Sequence, residues 1–342
     1  MGESPVLVEV TRGGLVESRH RGAAAVVDAA GGVVLAWGDI EAPVFARSAL
    51  KPLQALPLVT SGAADAQRLG ARELALACAS HHGEPAHVAA VAGWLARIGL
   101  GVGDLECGAH PPLDPAAARA LVVRGAAPSA VHNNCSGKHA GFLATARHAG
   151  EPTRGYIAAD HPVQRRVLAA VETMTGLDLA RAPRGIDGCG IPVIGLPLAA
   201  LARAMARMGA PQTLPGGYAA ASRRLLDAMA AEPLMVSGST GFATALLRAA
   251  GDRVRAKPGA EGVYAAALPR LGLGLALKIE DGAARASEVA LAAILMRLGV
   301  LDEAAIAALA GRERPAVRNV AGAVVGEVRP APALAAEKHS PS

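Results

Sequence analysis

Aromatic side chains are nearly absent from this chain of 342 residues: two Trp, three Tyr and three Phe make up 2% of it. Nucleic-acid surfaces use aromatic platforms on which bases stack, so this composition offers little to a single strand. The formal charge of +5 does not reverse that reading, because 34 Lys and Arg are interspersed with 29 acids and form no basic run; no nucleic-acid partner is expected. Cysteine is scarce as well. Cys78, Cys107, Cys135 and Cys189 are too few and too widely spaced for the disulfide framework of a small secreted domain, and buried, inert thiols are the ordinary expectation for each. No stretch approaches the roughly 20 apolar residues that span a bilayer, and Met1 to Pro5 does not open a charged-then-apolar leader. A cytoplasmic protein without a membrane partner is therefore expected. Neither CxxC nor HExxH occurs, so spacing alone nominates no metal.

Against these absences stand 40 glycines and 23 prolines spread along the chain rather than clustered in a linker. Residues 6–12, AAAVV and GVVLAW read as three antiparallel strands, the last two joined by DAAGG. Ser48 to Leu53 suits the start of a helix with Pro52 in its first turn. ELALACAS is a strand or a helix end that breaks at Ser80. Helices follow over Glu84 to Ile98, Asp114 to Gly125, Asn134 to Gly150, Asp160 to Gly176 and Gly195 to Gly209. Beyond Asp252 the pattern returns to strands: RVRAKPGAEGVYAAAL and LGLGLALKIEDG as two of them, then a helix from Ser287 to Leu298 and a last strand near AGAVVGEV. A mixed α/β (α+β) fold results, with an antiparallel sheet built from N- and C-terminal strands and helices packed on it. One domain over residues 1–328 and a frayed tail over 329–342 are expected.

The chemistry begins at Ser48 and Lys51, three residues apart on one helical turn, where hydroxyl and amine can meet. A neutral lysine can take the hydroxyl proton, as in acyl-transfer enzymes with an SxxK motif. A second break centres on Ser80, and Lys257-Pro258-Gly259 lies on a late strand. Penicillin-binding proteins and serine β-lactamases show that order, with Lys-Thr-Gly in place of Lys-Pro-Gly. Lysine titrates near 10.4 in model peptides; bringing it close to 7 takes about 4 kcal/mol, from burial or from another cation. Lys51, Lys138 and Lys257 gathered around a cation would supply this by repulsion. HNNCSGKHAGF and GIDGCGIP carry the other constellation: Cys135 could be a nucleophile beside His132 or His139, or Cys135, Lys138 and Cys189 could meet at a metal. Two thiolates with an open fourth position suit zinc.

RSALKP, CASHHGE, NNCSGKHAGFLA, DGCGIP and AKPGAEG, in this order between about Val6 and Val328, resemble the asparaginase II family, whose Rhizobium-type members bind zinc. The resemblance implies a fold like that of serine β-lactamases and glutaminases, a homodimer, and hydrolysis of L-asparagine to L-aspartate and ammonia. Two Ser-Lys pairs are implied, Ser48 with Lys51 as nucleophile and base, and Ser80 with Lys257 as relay, although either serine could be the nucleophile. Cys135, Lys138 and Cys189 would hold Zn2+. Substrate recognition requires a cation for a carboxylate and an acceptor for an ammonium, for which Arg47 and Asp187 are candidates, with Asn133 and His139 nearby. His81, His82, Glu84 and His87 stay unassigned. A glutaminase, an SxxK peptidase or an inactive zinc-binding relative are the alternatives.

Overall fold

The computed structural model of the chain describes residues 3–334. β1 (Val6–Arg12), β2 (Leu15–Asp28) and β3 (Val33–Trp37) form the expected antiparallel start. Asp28 makes the second turn tight, its Oδ1 accepting from the N–H groups of Ala30, Gly31 and Gly32 at 2.8 Å each. Mid-chain, β4 (Pro43–Phe45), β5 (Arg184–Ile186) and β6 (Pro192–Pro197) make a separate three-stranded sheet. The sequence reading had run residues 195–209 together as a helix. The helix instead starts at Leu198, directly after Pro197, because a short apolar run such as VIGLP carries no period that separates strand from helix.

Among the described residues the C-terminal strands number five rather than the expected three. RVRAKPGAEGVYAAAL folds into β7 (Arg255–Pro258) and β8 (Val263–Leu268), and β9 (Leu273–Ile279) follows. Gly262 at φ 68° turns the chain between the first two. With β10 (Ala316–Arg318) and β11 (Val324–Pro330), the main sheet runs β10-β11-β1-β2-β9-β8-β7, and β3 pairs with β2. A curled antiparallel sheet carrying packed helices is the architecture expected from the sequence.

Alternation along β2 assigns its residues to two cores: Ala25 and Val27 face one, Ala24 and Val26 the other. The helix Leu198–Gly209 packs on β2, β8 and β9 in the first, and Ala284–Arg297 on β1, β8 and β9 in the second. The first approach is close enough to require Gly274, where an added Cβ would lie 1.9 Å from the Ala202 carbonyl oxygen. ELALACAS settles as the helix Ala71–Ala77, and the remaining expected helices appear with ends shifted by a few residues. GSTGFATALL supplies the helix Phe242–Ala250 after Gly241, with Leu246 and Leu247 in the core. Residues 329–334, assigned from sequence to a frayed tail, are held: Arg329 and Pro330 pair with Glu9 and Val8, and Leu334 is buried. Residues 335–342 of that expectation lie outside the described residues. Among the described residues no helix is long and apolar enough to cross a membrane.

Candidate active site

Three segments distant in sequence meet at the end of the sheet where β7 lies. Arg47–Leu50 forms a 3-10 turn that runs into the helix Lys51–Gln54, with Pro52 in its first turn. Ser48 sits inside this turn rather than capping it, and Arg47 before it holds φ 50°, a left-handed conformation that is rare outside glycine. The β7–β8 hairpin lies backbone to backbone on the turn. A Cβ on Gly259 would stand 2.7 Å from the Ala46 carbonyl oxygen and 3.2 Å from the Ala49 nitrogen, so glycine permits the contact. The third segment follows the helix Ala71–Ala77, and Ser80 is fixed there by its N–H to the Val236 carbonyl.

Both lysines converge on Ser80. Lys257 Nζ lies 2.7 Å from Ser80 Oγ and 2.8 Å from the Pro258 oxygen. Lys51 Nζ lies 2.5 Å from the Ala79 oxygen, 3.0 Å from Ser80 Oγ and 3.4 Å from the Asn134 oxygen. The expected pairing of Ser48 with Lys51 is thus not made as a hydrogen bond; Ser48 Oγ faces the cleft and bonds to no side chain or backbone group among the described residues. Burial and the charge of Lys51 hold Lys257 well below the usual lysine range. Burial also lowers Lys51, against the thiolate character of Cys135. Three acceptors around Lys51 suit an ammonium with three N–H donors, whereas Lys257, with one carbonyl and one hydroxyl, suits a neutral amine that receives the Ser80 proton.

Beneath this cluster lies the sulfur site. Cys135 and Cys189 are both buried and close enough to shift each other's titration, and Lys138 Nζ lies 3.0 Å from Cys189 Sγ. Cys189 holds the Cys135 thiol well below its usual range, against burial and with help from Lys51 and Lys138. Cys189 is itself driven up by Cys135 and by burial. Lys138, although buried, is raised by the two sulfurs, unlike the other two lysines. Cys78 and Cys107 are the ordinary pair, each pushed up to about 12 by burial. Two sulfurs beside an amine are donors that suit a thiophilic cation such as zinc; among the described residues no group of three His, Cys, Asp or Glu gathers for one. Gly137 lets this helix approach the helix Ala71–Ala77, since a Cβ there would lie 2.4 Å from the Leu76 oxygen.

The four expected substrate contacts do not line the cleft. Arg47 and Asp187 spend their charges on each other, Nε to Oδ1 at 2.7 Å. Burial works against the Asp187 carboxylate, yet Lys138 and Arg47 hold it below the usual range. Asn133 staples a loop: its amide donates to the Cys107 and Gly108 oxygens, and its Oδ1 accepts from the Cys135 N–H. His139 is buried, its Nδ1 hydrogen-bonded to the Tyr156 hydroxyl at 2.8 Å, and burial holds it well below the usual histidine range. His81 and His87 stack at 4.9 Å, and burial holds both below the usual histidine range. His81 Nε2 contacts Ser136 Oγ, and Glu84 anchors the 238–241 loop through the Ser239 N–H.

The cleft itself, about 850 Å3, is lined near its serines by Ser48, Ser80, His82 and Asn134. Sequence reasoning missed Asn134 by choosing its neighbour: Asn134 Oδ1 lies 3.1 Å from Cys135 Sγ, and its carbonyl receives the His81 N–H and Lys51. The cleft continues to Tyr264, Glu288 and Arg312, which the motifs gave no reason to select.

The family model of L-asparaginase II matches residues 8–330, nearly the whole chain. No curated protein matches it.

Proposed function

The chain belongs to the L-asparaginase II family, and from that premise we propose that it hydrolyses L-asparagine to L-aspartate and ammonia in the cleft between Ser48 and Ser80. The observation that carries the mechanism is the position of Ser80 Oγ between Lys257 and Lys51. Ser80 attacks the side-chain amide carbon while its proton passes to Lys257 Nζ. The ammonium of Lys51 favours the forming alkoxide electrostatically, and the unpartnered Ser48 hydroxyl donates to the developing oxyanion. Lys257 then returns the proton to the departing nitrogen, ammonia leaves, and a water deprotonated by Lys257 cleaves the aspartyl ester.

Ser48 supports a second assignment, because its hydroxyl faces the same cleft without a partner. In that version Ser48 attacks and Ser80 relays its proton to Lys257. Acid-quenching the enzyme during turnover and mapping the aspartyl ester by peptide mass spectrometry separates the two: the mass lies on Ser80 or on Ser48. An ester on neither serine, with ammonia still released, removes the Ser-Lys mechanism.

The proximity of Cys135, Lys138 and Cys189 supports assigning the protein to the zinc-binding, Rhizobium-type branch. Zinc held there would polarise or orient a carbonyl group. The chain's own contribution is to bury that region and to keep Lys51, which senses Cys135, beside Ser80.

A further inference from the structure

The cleft passes round an edge of the main sheet. β7 is the last strand in its order, and its register sets Lys257 opposite Ala265 and Pro258 opposite Tyr264. Successive residues of a strand point to opposite faces. Ala265 accordingly belongs to one core and Tyr264 to the other. Lys257 and Ser80 thus occupy one side, while Tyr264 lies on the other against Phe242, their rings 6.3 Å apart. One cleft of about 850 Å3 nonetheless includes Ser80 and Tyr264. That volume lies in the upper part of the range of roughly 300–1,000 Å3 typical of sites for ligands much larger than one amino acid.

The far compartment offers unused donors. Tyr264 is 1% exposed, lines the cleft, and its hydroxyl has no hydrogen-bond partner; buried hydroxyls are normally satisfied. Arg312 donates from one nitrogen to the Thr240 and Gly241 carbonyls and meets no carboxylate within ion-pair distance among the described residues. Glu288 lines the same region, its carboxyl pushed up to about 7 by burial, so that it too carries an O–H for part of the neutral range. A phenol and a guanidinium suit an anion, and an anion bound beside Glu288 would favour its protonated form. Free asparagine carries its carboxylate only two carbons from its amide carbon, whereas Tyr264 lies on the opposite face of the hairpin from Lys257 and Ser80.

We propose that this second compartment binds a carboxylate lying beyond the asparagine unit, so that the substrates include asparagine amides extended by one or two residues. The proposal rests on asparagine hydrolysis at Ser80. Two chemistries could present such a carboxylate: a peptide continuing from the asparagine carboxyl, as in asparaginyl-glycine, or a substituent on the side-chain amide nitrogen, as in β-aspartyl-glycine. In the first, water releases ammonia and leaves aspartyl-glycine. In the second, the same acyl transfer releases glycine, whose nitrogen takes the proton held by the lysine.

The test measures kcat/KM for asparagine, for both glycine-extended amides and for their diglycine homologues, with wild type, Tyr264→Phe and Arg312→Gln. At least one extended amide should be hydrolysed by the wild type and lose about tenfold or more in both variants, with asparagine changed less than about twofold. The responding series identifies the source of the carboxylate. Asparagine turnover with no extended amide hydrolysed overturns the second compartment alone, as does an equal loss on asparagine and extended amides in the variants. Wild type that releases no ammonia from asparagine removes the asparaginase reading, and this proposal with it.

Discussion

Lys257 Nζ reaches Ser80 Oγ at 2.7 Å across a sequence separation of 177 residues. A neutral amine at that distance is a general base, worth roughly 10²–10⁴ in rate. Lys257→Met should therefore lower kcat for ammonia release by about that factor, with KM for asparagine changed little. A variant that keeps more than about a tenth of wild-type kcat would assign the proton to another group.

The acid limb of the pH profile should report Lys257. Its pKa is held well below the ordinary lysine range by burial and by Lys51, and only the neutral amine accepts a proton. The kcat/KM should therefore rise with pH through that lowered value and level off below the ordinary lysine range. Lys51→Met removes one of the charges that depress it, so the limb of the residual activity should move to higher pH. A limb that stays in place while activity falls would mean that Lys51 acts without tuning its neighbour.

The same burial costs stability. Between the lowered folded pKa and the ordinary unfolded one, the unfolded chain binds the extra proton, so stability rises with pH across that window and the penalty is complete below it. Replacing Lys257 by Met removes the penalty, and at neutral pH the inactive variant should be more stable by about 1–3 kcal/mol. Urea denaturation at neutral and alkaline pH measures it; the gain should shrink as pH approaches the ordinary lysine value.

Gly259→Ala tests the contact between hairpin and turn. A methyl group 2.7 Å from the Ala46 oxygen forces the two backbones apart, an overpacking cost of about 1–3 kcal/mol. Because the displaced strand end carries Lys257, kcat should fall further than the stability loss explains, even where the variant is fully folded. Unchanged kcat in a folded protein would show that the hairpin is not what sets the Lys257 position.

The sequence was most legible where local chemistry dictates local structure. The helix over Pro115–Val123 was readable because Asp114 caps it through the Ala117 N–H at 2.7 Å with proline following. The sheet of β4, β5 and β6 was not, since strands of three to six residues carry too few positions to show a period. Ser48, Lys51, Ser80, Lys257, Cys135, Lys138 and Cys189 were all named from motifs, and Ser80 meets Lys257 as paired there, but the pairing of Ser48 with Lys51 is not the one the fold makes. Spacing puts Lys51 beside Ser48, whereas the fold aims its amine at the Ala79 carbonyl and at Ser80. Arg47 and Asp187 looked like ligands for a zwitterion and turn out to satisfy each other, a long-range pairing that residue type alone does not show.

The sulfur site makes the last prediction. Cys135 and Cys189 shift each other in opposite directions, Cys135 well below its usual range and Cys189 above it, so a thiol proton remains on the pair that a metal must displace. Zinc affinity should consequently increase with pH, and titration with the metal should release protons. Elemental analysis of protein purified with added zinc should find about one metal per chain, lost in Cys135→Ala and Cys189→Ala. Cys78→Ala should retain it, because that thiol is pushed up to about 12 by burial and takes no part. Lys138→Met separates ligand from counter-ion. If the amine ligates, zinc is lost as in the cysteine variants; if it only neutralises sulfur, zinc binding persists. Zinc held equally by wild type and Cys135→Ala would place any metal elsewhere and leave the two thiols with an electrostatic role toward Lys51, whose pKa Cys135 raises.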